Sequence, residues 1–228
     1  MPTDAFDQWT NAYKKNIAAG TELLWPSETL IRLFKGDYIK GLNKNYAGKA
    51  ALDISFGGAN NLIFLASLGL RVSGTEVTEE ICALGRKALL PYGYEGDLRV
   101  GTNRRLPFED ESFDYLVSWN VIHYEDNEAD MRRAIAEYSR VLKKGGRFFI
   151  STTGPEHKIL KDSLSPGKHL YRIGRTDDFR CGQTFFYFDS EEYIRHYFGE
   201  EFRDISVGRT HDHLMTETLD WWIVSGVK

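Results

Sequence analysis

The chain has 228 residues, is 42% hydrophobic and 27% charged, and carries a formal net charge of -4 with a pI near 5.9. That length suits one well-packed α/β domain with room for an elaboration. Mild acidity without a basic run argues against nucleic acid as partner, and no apolar run is long enough to span a bilayer.

The start, MPTDAFDQW, is polar and acidic, unlike a secretory signal. Phe6, Trp9, Tyr13 and Ile17 recur at helical spacing and predict an amphipathic helix over residues 3–20, stopped at Gly20. A second helix is expected over 27–34, with Ser27 as cap and Glu28 in its first turn. Together they form a helical cap, residues 1–45, ahead of a sheet. Then follow a strand at 50–54, a helix at 60–68 capped near Asn60, a strand at 71–76 and a helix at 79–90 stopped by Pro91. Strands at 97–101 and 113–119, a helix at 127–142 and a strand at 147–152 continue the alternation. Such alternation means parallel βαβ units with right-handed crossovers. Residues 154–184 are rich in Gly, Pro, Lys, Arg and Asp and show no period, which predicts a lid-like insertion. A short helix at 189–198 and two closing strands at 202–209 and 219–227, joined by a turn region at 210–218, end the pattern. With that pair the fold is expected to be complete. Cys82 and Cys181 lie far apart without metal-type spacing, which suits a reduced, cytoplasmic compartment.

ALDISFGGANNLIFLAS, followed by RVSGTE, carries the chemistry. A buried strand ends at Asp53, the chain turns at Gly57 and Gly58, and a helix follows. Glycine lets a ligand approach the backbone, because no Cβ is in the way. Glu76, at the end of the second strand, is placed to accept from two ribose hydroxyls. This is a nucleoside pocket at the head of an open α/β sheet. It is not the dinucleotide fingerprint, since G-x-G-x-x-G lacks its third glycine here, and a bare acid at Glu76 disfavours a 2′-phosphate.

The segment from Asp53 to Ala59 resembles motif I, D-x-G-x-G-x-G, of the class I S-adenosylmethionine-dependent methyltransferases. Gly57 is the central glycine, while Ser55 and Ala59 stand where the other two would be. LPFEDESFDYLVSWNVIHYED looks like the family's block around its fourth strand, and RVLKKGGRFFIST like the block leading into its fifth. Order and spacing match across roughly half the chain. The resemblance implies a single domain over residues 1–228. Its sheet would be Rossmann-like, seven-stranded and mostly parallel, with an antiparallel closing strand, helices on both faces and an N-terminal helical cap.

It also implies S-adenosylmethionine as cofactor, held by Asp53, Ser55, Gly57, Glu76, Val77, Asn103, Arg104 and Trp119. Asn103 and Arg104 stand where the family often has an Asp-Ala pair, so the adenine contacts depart from the pattern. Trp119, at the end of the fourth strand, offers an aromatic face to a sulfonium. His123, one turn on, is the candidate base. Trp25, His169, Tyr171, Arg172, Arg180 and His211 are the candidate substrate contacts, arginines on a lid being suited to anionic groups. His211-x-His213 has no third ligand at suitable spacing, so no metal is expected. The expected activity is methyl transfer to a small-molecule acceptor, with O-methylation of a sugar or a related metabolite as the specific reading. The alternative is a non-catalytic protein that binds S-adenosylmethionine or S-adenosylhomocysteine. A nicotinamide oxidoreductase is disfavoured by the missing fingerprint.

Overall fold

The computed structural model describes residues 3–19 and 25–228. A helix, α1 (Thr3–Ala19), precedes α2 (Glu28–Lys35) and the alternating series β1 (Ala50–Ile54), α3 (Asn60–Ser67), β2 (Arg71–Glu76), α4 (Glu79–Leu89), β3 (Gly96–Val100), β4 (Phe113–Trp119), α5 (Glu128–Val141) and β5 (Leu142–Thr153). Three short strands follow, β6 (Leu164–Gly167), β7 (Leu170–Arg172) and β8 (Thr184–Phe186), and then α6 (Glu191–Phe198), β9 (Arg203–Leu214) and β10 (Glu217–Val227). Gly20, read as the stop of the first helix, and the side chain of Ile17 lie outside the described residues.

The main sheet has the order β3-β2-β1-β4-β5-β10-β9. β1 pairs in parallel with both β2 and β4, so the strand order reverses there and a crevice opens at their C-terminal ends. β10 runs antiparallel to both neighbours. Every residue of β1 is buried, as a central parallel strand covered on both faces must be. Alternate residues feed two cores. Leu52, Ile54, Leu116, Phe148 and Ile150 face α5 and α6, while Ala51, Tyr115, Val117 and Phe149 face α2, α3 and α4.

Capping fixes the helix starts. Thr78, Asn127 and Ser190 each accept a backbone N–H of the first turn of α4, α5 and α6. Two starts lack such a bond: at α2 Ser27 holds the cap position without a side-chain bond, and at α3 the cap is Ala59 in the left-handed region, not Asn60. The sequence also misplaces two boundaries. β5 starts at Leu142, directly after α5, because Leu142 already pairs with Phe113 before a bulge shifts the register to Tyr115 and Arg147. The last two strands run on to Leu214 and back from Glu217, so the turn between them is a tight one at Met215 and Thr216.

Residues 154–184 are not a structureless loop. They hold β6 and β7 and reach β8, a three-stranded antiparallel sheet. The segment lies over the ends of β4 and β5. Phe186 N–H donates to the Glu125 carbonyl at 2.7 Å, and the Tyr171 and Thr153 hydroxyls are 3.3 Å apart. Ile159, Tyr171 and Ile173 are buried in the core beneath it.

Candidate active site

The loop from β1 to α3 is wound by three left-handed residues, Ser55 at φ 53°, Gly57 at φ 58° and Ala59 at φ 64°. Side-chain-bearing residues adopt this region only where the surroundings demand it, and such strain gathers at ligand sites. Here the surroundings include Phe56, whose ring fills a slot left by the missing Cβ atoms of Gly74 and Gly85. The winding turns the Gly57 N–H onto Glu76, where it donates to Oε1 at 2.8 Å, while the Val77 N–H donates to Oε2 at 3.0 Å.

Two acids are thereby buried side by side. Asp53 is 1% exposed and Glu76 is 4% exposed. Asp53 Oδ2 has no hydrogen-bond partner, and neither does the nearby Thr75 hydroxyl. Burial, and then the charge of Glu76, pushes the Asp53 carboxyl well above its ordinary range. Burial pushes Glu76 up to about 7, against the opposing pull of its two N–H donors. Among the described residues no cation pairs with either carboxylate. An uncompensated buried acid is costly, so the arrangement suits a ligand bringing positive charge and hydroxyl donors.

The first helix closes over this pocket. A Cβ at Gly57 would collide with the Tyr13 hydroxyl. Burial, with Glu76, Tyr124 and Asp53 nearby, raises the Tyr13 phenol. Trp9 packs edge-on against Tyr124 at 5.2 Å and Phe179 at 4.9 Å. Lys14–Glu80 and Gln183–Gln8 contacts tie the helix down on either side.

A second group of polar residues lies beyond Tyr124, at the ends of β4, β5 and β10. His123 is buried, with Nδ1 unpartnered, and Thr152 Oγ1 and His157 Nε2 are unpartnered as well. Burial, then Arg180 and His157, holds His123 well below the usual imidazole range. Burial, then Arg180, lowers His157 to about 4. Arg180 is gripped by Asp178 through two bonds of 2.7 and 2.6 Å and donates to the Tyr124 hydroxyl at 3.2 Å. Both imidazoles pack on Trp221, at 6.2 Å for His123 and 4.3 Å for His157.

Of the residues singled out from sequence, Asp53, Ser55, Gly57, Glu76 and Val77 meet at the first pocket. His123, Tyr171 and Arg180 meet at the second. Trp119 is half-buried and packs against the core on the α2, α3 and α4 face of the sheet. The others stand elsewhere or are already engaged. Asn103 is engaged at both ends of its amide, donating to Glu125 at 3.0 Å and accepting from Tyr138 at 2.6 Å. Arg104 pairs with Glu125 and Asp130. Trp25 is 79% exposed. His169 stacks on Tyr193 of α6 at 3.6 Å, and Arg172 is exposed on β7. His211 lies on β9, 3.5 Å from Asp220. Sequence reasoning passed over Tyr124, His157 and Trp221. The one available signal was position, since His157 follows directly on a strand's C-terminal end, where ligands bind in such sheets.

Residues 52–150 match the family model described as a methyltransferase domain. An uncharacterised methyltransferase of Bacillus subtilis, YcgJ, is 29% identical over 54% of this chain and 47% of its own length. The demethylmenaquinone methyltransferase of Clavibacter sepedonicus is 29% identical over 64% of this chain and 55% of its own. The chain spans about half the length of these curated relatives. Among solved structures, an S-adenosylmethionine-dependent methyltransferase from Methanosarcina mazei aligns with a TM-score of 0.67 at 18% identity, covering 90% of this chain and 99% of that one. The matched segment holds Asp53, Gly57, Glu76 and His123, and the strand order with its antiparallel β10 is that of the sheet expected from the motifs. Residues 52–150 thus match a methyltransferase domain, and the fold of the chain is that of S-adenosylmethionine-dependent methyltransferases of known structure.

Proposed function

We propose that the chain transfers the methyl group of S-adenosylmethionine to a hydroxyl oxygen of a small-molecule acceptor, a sugar or a related metabolite. The observation that carries this reading is the pair of buried acids, Asp53 and Glu76, without a partner cation beside Gly57. The cofactor supplies a methyl on a positively charged sulfur, so that an acceptor lone pair takes the carbon and the former carbon–sulfur pair stays on sulfur. Asp53 would compensate the ligand's positive charge, and Glu76 would accept from its ribose hydroxyls. Gly57 and Val77 hold Glu76 in place by their N–H groups. Trp9 and Tyr13 cover the pocket and exclude water. The reaction then needs mainly alignment of acceptor and methyl.

A hydroxyl acceptor, unlike a neutral amine, must also lose a proton, and His123 is the group suited to take it. Its environment keeps it uncharged, hence able to accept. Tyr171 and Arg180 shape the acceptor side. The chain is read as cytoplasmic, which the two free cysteines support. The test is calorimetry with S-adenosylmethionine, S-adenosylhomocysteine and NAD. Binding of the first two and not the third is expected. Binding of NAD alone, or of none, would overturn the reading.

A further inference from the structure

We propose that His157 is a second acceptor-site residue, a fixed hydrogen-bond donor that acts together with His123 and selects an acceptor hydroxyl on a flat, apolar-faced molecule. This inference rests on the methyl-transfer reading of the site and deepens it.

The argument starts from one hydrogen bond. The backbone N–H of Ile159 donates to His157 Nδ1 at 3.0 Å. A backbone N–H can only donate, so Nδ1 carries no proton and the neutral ring must carry its proton on Nε2. That Nε2–H is buried and has no partner. The ring is held by its own turn, since His157 N–H donates to Gly154 O, and by Trp221, which packs on it edge-on at 4.3 Å. A buried donor locked in one tautomer and left unpaired is a group shaped for an incoming acceptor atom.

His123 offers a second open ring nitrogen. Its Nδ1 is buried and unpartnered, and it shares the Trp221 face with His157. The charged and titratable groups facing the two rings are Arg180, Lys158, Asp178 and Asp220, and in both rings burial dominates and disfavours the imidazolium. A hydroxyl is the group that satisfies such a pair, because its oxygen accepts from His157 Nε2–H while its O–H donates to His123. As the new oxygen–carbon bond forms and the carbon–sulfur bond breaks, the methylated oxygen becomes far more acidic than even a buried imidazolium, so its proton passes to His123. His157 keeps its own proton throughout and steadies the oxygen. Tyr124, Phe185 and Trp221 pack against His123 at 4.7, 5.6 and 6.2 Å, and Tyr171 meets Phe185 at 5.7 Å, so aromatic faces wall the ring. Such walls suit a planar ring or the apolar face of a sugar.

The test uses the full chain with selectively nitrogen-15-labelled histidine, saturated with S-adenosylhomocysteine. Long-range proton–nitrogen spectra are recorded with phenol and with methyl glucoside as separate probes, and with anisole as the probe lacking the hydroxyl proton. His157 should show a protonated Nε2 and an unprotonated Nδ1. Phenol or methyl glucoside should shift that Nε2–H, the responding probe telling planar ring from sugar, and anisole should bind about tenfold more weakly than phenol. His157→Asn retains an oxygen that can cap Ile159 but not the Nε2 donor. It should weaken the responding probe about tenfold while leaving S-adenosylhomocysteine affinity and Tm unchanged. A protonated Nδ1, a His157 resonance that no hydroxyl probe moves, or a His157→Asn chain that binds the probe like wild type would each overturn the proposal. Loss of S-adenosylhomocysteine binding by the wild-type chain would instead overturn the methyl-transfer reading.

Discussion

Glu76→Gln should change how stability depends on pH. Folding lifts the Glu76 carboxyl from an ordinary value of 4.5 to about 7, because burial outweighs the N–H bonds from Gly57 and Val77. The folded chain therefore holds this proton more tightly than the unfolded chain does. The resulting stabilisation is fully present below pH 4.5 and is lost as the pH rises through about 7. A shift of that size corresponds to about 3 kcal/mol, a large part of a domain's net stability. Glutamine keeps the shape and one acceptor oxygen but cannot titrate. Urea unfolding of the ligand-free chain at a series of pH values, wild type against Glu76→Gln, reads the Glu76 contribution together with its coupling to Asp53, whose carboxyl the Glu76 charge pushes up. The wild type should lose stability between pH 5 and 8 and the variant should lose about 3 kcal/mol less over the same range. Ligand binding should run the other way. A ribose diol donates to the ionised carboxylate, so S-adenosylhomocysteine should bind wild type more tightly as the pH rises through this window. A variant with the same pH slope as wild type would refute the reasoning about the buried acids.

Gly57→Ala should cost more than Gly93→Ala. Both glycines have positive φ, but a Cβ at Gly93 meets open space whereas one at Gly57 meets Tyr13. The second change should cost about 1–2 kcal/mol of backbone strain and the first that plus a displaced α1, measurable by urea unfolding. Ser190→Ala removes the cap of α6 and should lower stability by about 1 kcal/mol with unchanged S-adenosylhomocysteine affinity by calorimetry. Asp220→Ala leaves the Glu156 N–H, which bonds Asp220 at 2.7 Å, without its partner and leaves Arg209 with the Glu156 carboxylate alone, and should destabilise the chain by about 1–3 kcal/mol in thermal unfolding. The bonds from Arg209 hold the Asp220 carboxyl low despite its burial, so its contribution should be lost as pH falls through its folded-state value.

The first pocket was legible in the sequence and the second was mostly not, for a physical reason. Asp53, Gly57 and Glu76 sit at fixed offsets in a strand, a turn and a strand, so their meeting follows from local geometry and parallel pairing. His123, His157, Arg180 and Trp221 come from four separate places, and their meeting depends on how residues 154–184 fold back. That segment shows no period because its strands are only three or four residues long and β6 lies almost wholly exposed while β8 is mostly buried. Of the two arginines read as ligand contacts, Arg172 is exposed and Arg180 is held by Asp178, two residues away, and by the Tyr124 hydroxyl. Asn103 looked like an adenine contact by position. Tyr138, from α5, claims its carbonyl, which no spacing near Asn103 could reveal. The Ser55 and Ala59 substitutions in motif I are explained by the loop itself, which needs left-handed backbone and small side chains, and the walls around Phe56 supply the restraint that glycine would otherwise make unnecessary.

The antiparallel course of β10 has a consequence for the order in which the molecule becomes competent. A chain emerging N-terminal first has Asp53, Gly57 and Glu76 in place once β1, β2 and β4 have paired. Trp221 and Asp220, near the start of β10, arrive last, and they reach the same edge of the sheet only because β10 runs backwards beside β5. Until that strand inserts, His123 and His157 lack their common wall and Arg209 lacks its buried partner. Closing the sheet and finishing the acceptor side are thus one event, so a nascent or C-terminally nicked chain would hold the residues for binding cofactor well before it could use it.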